Sequence, residues 1–145
     1  MYDHGLLAPV TVLIAWTMLM LLWLYATRIP AMLKLKIDPE KHKDQTGASE
    51  LLPVGPRRVA ANYNHLHEQP TIFYAVAFVL QLLGEPSEFV IGVAWTYVAL
   101  RILHSLVQAT ANVIRLRFLI FVLASIALGV LIYQALIGVG IAAWF

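Results

Sequence analysis

Leu6 to Thr27 runs without a charged side chain, and so does Phe118 to Phe145. Each stretch exceeds the roughly 20 helical residues that a hydrocarbon core requires. Two such runs commit the chain to helices that cross a membrane. Asp3 stands where a cleaved leader would carry basic residues, and no small-residue cleavage pattern follows, so the first run reads as a retained span. In the second run Ser125 and Gly129 lie four apart, a spacing of small residues that lets membrane helices approach closely.

Composition agrees. Of 145 residues, 61% are hydrophobic and 12% charged, about half the charge that coats a soluble domain. The chain has no cysteine, which excludes disulfides, thiolate metal sites and a cysteine nucleophile. Any thiol chemistry must use a thiol brought from elsewhere. A net charge of +2 with scattered basic residues argues against nucleic acid as a partner.

Between the two runs lie two half-apolar segments, about residues 57–83 and 87–112, separated by the turn "GEPSE". The polar half comes first in one and last in the other. An antiparallel hairpin therefore brings both polar halves to the same membrane face. With spans at about 6–28 and 116–141, the expected fold is all-α, a single domain built as an integral membrane four-helix bundle. Residues of about 29–56 mix both charge signs with Pro and Gly and read as a solvated loop, with room for a short interfacial helix. Every Lys and Arg except Arg101 lies in or beside this loop or between the third and fourth helices. The positive-inside rule then puts the first and third connections in the cytoplasm and both termini outside.

On the second helix Arg58, Asn62, His65, Glu68 and Ile72 recur at spacings of three and four; on the third, Tyr97, Arg101, His104, Gln108, Asn112 and Arg115 do the same. At a rise of 1.5 Å per residue, Glu68 and Arg101 both lie about 16 Å from the polar ends of their helices, and His65 and His104 both lie about 12 Å from them. Matched depth predicts that the acid and the base meet. Ionisable groups within a span normally face a bundle interior or a water-filled cavity and are functional candidates. The competing reading is a polar seam that only glues helices together, at about 0.6–2 kcal/mol per hydrogen bond. His65, His67 and His104 lack an HxxxH or HExxH spacing and only two share the inner face, so no metal site is expected. Ser105 has no positioned base, which excludes a serine triad. Pro70 frees the carbonyl of Leu66 and should bend the second helix near Glu68.

The four-span layout, "RRVAANYNHLHEQPTIFY" on the second helix and "YVALRILHSLVQATANVIRLRF" closing the third resemble the MAPEG family, membrane-associated proteins of eicosanoid and glutathione metabolism. The resemblance extends from about Leu6 to Phe145 and is strongest for a bacterial branch of unassigned activity, placing the chain in the inner membrane. It implies a homotrimer that binds glutathione at the cytoplasmic side between protomers and takes a lipophilic substrate from the bilayer lipids. By the same resemblance Glu68 helps hold glutathione, Arg101 and His104 match the "RxxH" pattern of prostaglandin synthase relatives, and Arg117 is the catalytic arginine that stabilises the thiolate. The sequence departs from the family pattern at His65 (Asn), Ala61 (Arg), Gln108 (Tyr) and Phe121 (Tyr). Arg58, Asn62 and Asn64 offer replacement donors beside His65. The implied activity is a glutathione-dependent transferase or peroxidase acting on lipophilic electrophiles. The alternative is a non-catalytic bundle, or a subunit of a larger complex, that has lost the cofactor. A cavity lined by Glu68, Arg101 and Arg117 would favour the enzyme, and a seam closed by side chains would favour the bundle.

Overall fold

The computed structural model describes residues 5–38, 40, 50–84 and 86–141. Helices α1 (Leu7–Lys34), α2 (Val54–His65), α3 (Gln69–Leu82), α4 (Glu88–Ala109) and α5 (Ile114–Gly138) account for the fold, and the described residues contain no strand. Three of them, α1, α4 and α5, are each long and apolar enough to cross a membrane. At 12 and 14 residues, α2 and α3 are each too short, and they follow one another end to end.

The expected bend at Pro70 is a full break. In a continuous helix the pyrrolidine ring would strike the carbonyl four residues back, at Leu66. Instead α2 stops at His65, Leu66 to Glu68 turn, and Pro70 falls in the first turn of α3, where a missing N–H costs nothing. The Thr71 hydroxyl and amide both bond the Glu68 carbonyl, at 2.6 and 3.2 Å, and fix the new start. The break changes the neighbours: α2 packs on α1 and α4, whereas α3 packs on α5 and α1.

α1 continues past Arg28 and over Pro30 to Lys34, into the stretch expected to be loop. Lys36 adopts a left-handed φ of +53°, letting Ile37 N–H reach Met32 O at 3.1 Å and Lys36 N–H reach Leu33 O at 3.2 Å. Two otherwise orphaned carbonyls are thereby satisfied. Most of the remaining loop, including Lys41, Lys43 and any interfacial helix, lies outside the described residues. Ser87 caps α4 by accepting from Val90 N–H at 3.4 Å, with Glu88 in the first turn. Asn112, also left-handed at φ +53°, closes the short turn that folds α5 back on α4, the most extensively packed pair.

The main core gathers Leu13, Phe73, Tyr97 and Leu131, with Phe73 and Tyr97 stacked at 4.5 Å. A smaller apolar cluster of Leu24, Val59 and Ala109 sits toward the other end of the bundle. Large apolar side chains such as Met18, Leu22, Phe89 and Ile126 stay on the outside, an exposure that suits lipid rather than water. Among the described residues no close approach occurs at Gly129, where a Cβ would meet nothing within 4 Å. Ser125 meets α3, accepting a hydrogen bond from Gln69 Nε2 at 2.8 Å.

Candidate functional site

The up-and-down order of the helices gathers the end of α1 (Lys34), the start of α2 (Arg57, Arg58) and the start of α5 (Arg115, Arg117) at one end of the bundle. Glu88 begins α4 at the other end. Four residues of the expected inner stripe are buried on α4: Tyr97 and Arg101 are 0% exposed, His104 3% and Gln108 5%, whereas Asn112, half-buried, and Arg115, exposed, fall beyond the end of the helix. Helical spacing sufficed to find this face.

Behind it, Ser105 joins three helices. Its Oγ accepts from Asn62 Nδ2 of α2 at 2.8 Å and from Trp16 Nε1 of α1 at 3.1 Å. One turn along α2, the His65 ring stands 5.0 Å from that of His104 and 5.6 Å from that of Phe121. These two histidines, with Ile114, Arg117, Phe118 and Phe121, line a cavity of about 370 Å³ at the basic end. Arg117 is anchored: its Nη1 donates to Asn112 Oδ1 at 2.5 Å, while its buried Nε has no hydrogen-bond partner.

The expected pair of Glu68 with Arg101 does not form. Arg101 Nη2 donates to the backbone carbonyl of His65 at 3.1 Å, and its Cζ lies 5.9 Å from the centre of the Phe121 ring. Glu68 Oε2 lies 2.7 Å from His65 Nδ1, with the carboxylate side chain 67% exposed. The helix break explains the change. Counting in threes and fours assumes a continuous helix, and the turn at Leu66 to Glu68 swings the acid off the stripe while freeing a carbonyl for Arg101.

Of the residues singled out from the sequence, His65, His104 and Arg117 come together around the cavity, and Glu68 reaches it only through His65. Arg101 lies behind the wall, with Nε and Nη1 buried and without partners. Arg58 lies apart: its Nη1 donates to Thr110 O at 2.7 Å and ties α2 to the end of α4. Sequence reasoning missed Ile114 and Phe118 as walls and Trp16 as a partner of Ser105. A Trp within an apolar run carries no periodic signal, whereas Phe118, next to Arg117 on α5, was within reach. Among the described residues no cluster of three or more His, Asp or Glu is placed to hold a metal.

An all-helical integral membrane bundle with a mostly apolar cavity, bearing one arginine and two histidines, at its basic end is the class that fold and site define. Residues 6–137 match the MAPEG family, and the chain belongs to that family. No curated protein and no solved structure matches it.

Proposed function

We propose that the protein is a glutathione-dependent transferase or peroxidase that acts on lipophilic electrophiles at the cytoplasmic, basic end of its bundle. The observation that carries this reading is the setting of Arg117: a guanidinium held on one side by Asn112, unpartnered at Nε, lining a cavity otherwise walled largely by Ile114, Phe118 and Phe121. An anion that also carries an apolar reaction partner fits this mixture, and a thiolate beside a lipophile is such an anion. Glutathione supplies the nucleophilic sulfur. Arg117 lowers the thiol pKa by stabilising the charged form, and the cavity aligns the sulfur with a substrate that arrives through the bilayer.

One protomer does not provide the whole site. Glutathione bears two carboxylates besides its thiol, and the cavity offers a single arginine. The outward face of α2 and its following turn, with Arg57, Asn64 and Glu68 exposed, is too hydrophilic for lipid and supports a homotrimer in which neighbouring copies cover it and add donors. Mass measurement in detergent should give three copies; a monodisperse monomer would remove the shared site.

Calorimetry of glutathione against the purified protein, followed by turnover with a model electrophile and with a lipid hydroperoxide, tests the assignment. A flat titration would favour the non-catalytic bundle, a reading that draws its own support from Arg101 and Glu68, neither of which lines the cavity.

A further inference from the structure

The couple of Glu68 and His65 has no task in the mechanism above. A carboxylate can only accept, so at 2.7 Å the hydrogen of that contact sits on His65 Nδ1. The neutral ring then keeps its lone pair on Nε2. Nε2 makes no hydrogen bond among the described residues and is not a buried orphan, and the ring lines the same cavity as Arg117. A histidine whose far nitrogen is held by a carboxylate while the near one faces a cavity is a positioned base.

We propose that His65, oriented by Glu68, is the proton acceptor and donor when glutathione adds to a lipophilic electrophile such as an α,β-unsaturated carbonyl compound. The inference rests on the glutathione reading and adds to it a proton path. The S–H bond breaks with its electron pair left on sulfur, and the proton passes to Nε2. Sulfur bonds the β-carbon of the acceptor, the C=C pair shifts toward the carbonyl, and the α-carbon takes the proton back from the imidazolium. His65 ends neutral. The cycle exchanges no net proton with solvent, which suits a cavity whose remaining walls are mostly apolar, whereas displacement of a halide would strand a proton on the ring. The groups whose charge or titration acts on His65 are Glu68 from its own turn, Arg101 and His104 from α4, and Arg117 from α5. Arg117 stabilises the charge on sulfur, and His65 receives what sulfur gives up.

The test follows the proton. Glutathione is titrated into the protein while thiolate is read by ultraviolet absorbance and proton release by calorimetry in buffers of different ionisation enthalpy. The parent should form thiolate and release no proton to the buffer. In His65→Asn, whose amide still donates to Glu68 but cannot titrate, any thiolate formed should release about one proton, and kcat with a long-chain enal should fall by about 100-fold. That deficit should close as pH rises and the thiol ionises unaided. Glu68→Gln, at an exposed position, leaves the fold intact and should lower kcat in the same direction by at least ~10-fold. A parent that releases the thiol proton to the buffer overturns the role of His65 while leaving glutathione chemistry standing. So does a His65→Asn variant with the parent's kcat and pH profile, or, if that variant does not fold, a Glu68→Gln variant with both. A parent that binds no glutathione rejects the proposed function and this inference together.

Discussion

Replacing Ser105 by Ala should destabilise the bundle more than any other loss of a single hydroxyl, because two donors, buried Asn62 and half-buried Trp16, depend on it. Ser105 is 0% exposed and Asn62 1%, and the hydroxyl accepts from Asn62 Nδ2 at 2.8 Å and Trp16 Nε1 at 3.1 Å. In a water-soluble core each orphaned donor costs about 1–3 kcal/mol. In a bilayer the figure is smaller, about 0.6 kcal/mol on average and up to about 1.7, because helices that separate within the membrane find other partners. The three helices here part within detergent or lipid, so the smaller scale applies. Two bonds give about 1–3.5 kcal/mol, or a fall in Tm of about 4–8 °C near the middle of that range for a chain of this size. Thermal unfolding in detergent, followed by loss of the folded size-exclusion peak, reads the effect. Trp16→Phe keeps an aromatic ring and removes one donor, so it should cost less in the Ser105→Ala background than alone, with a coupling of about 0.5–1.5 kcal/mol. A Ser105→Ala variant within about 0.5 kcal/mol of the parent, or strictly additive losses in the cycle, would refute the three-helix junction.

Other perturbations separate the remaining claims. Arg117→Ala should lower turnover by about 100-fold or more with little loss of protein yield, and a yield that falls in step with turnover would make Arg117 structural. Arg101→Met removes two unpartnered donor nitrogens and one hydrogen bond to a carbonyl that Glu68 N–H also approaches, so stability should change by less than about 1.5 kcal/mol. The change should add to that of Glu68→Gln; a loss above about 3 kcal/mol, rescued in the double variant, would restore a direct pair. Because the chain has no cysteine, Glu50→Cys should react with an impermeant maleimide only from the cytoplasmic side and Glu88→Cys only from the outer side. Reversed labelling would invert the topology.

The long uncharged runs and the buried stripe of α4 were legible because each depends on one helix alone: length selects the span, and spacings of three and four select the face. What depends on two helices was not. Pro70 predicts a disturbance but not whether the helix bends or stops, and that choice decides where Glu68 points. Helical spacing puts His65 on the inner face, yet its contact with Glu68 arises only once the turn between α2 and α3 exists. Ser125 and Gly129 have the spacing of a close contact on a helix that is apolar all round, so nothing in the pattern says which face meets a neighbour. Phe121, a departure from the family pattern, is a wall against which His65, His104 and Arg101 all stand.

Among the described residues the buried side-chain atoms without partners are not spread evenly. Asn62 Oδ1, Arg101 Nε and Nη1, Gln108 Oε1 and Arg117 Nε are buried without hydrogen-bond partners, and all belong to α2, the C-terminal half of α4 and the start of α5. Around Phe73, Tyr97 and Leu131 the packing is apolar, and the Tyr97 hydroxyl finds Gln69 Oε1 at 3.4 Å. Buried polar groups without partners weaken the half of the bundle that holds them, so the two halves should open with different free energies. Amide hydrogen exchange in detergent should show slower exchange in α3 and the C-terminal half of α5 than in α2 and the C-terminal half of α4. A ligand that supplies acceptors to Arg117 should narrow the gap, since at 100 times its Kd it adds about 2.7 kcal/mol to the state that binds it. Uniform protection before ligand, or protection that rises equally in both halves, would mean that the orphaned atoms are already satisfied by water or by a neighbouring copy, and that the cavity end is as firmly built as the core.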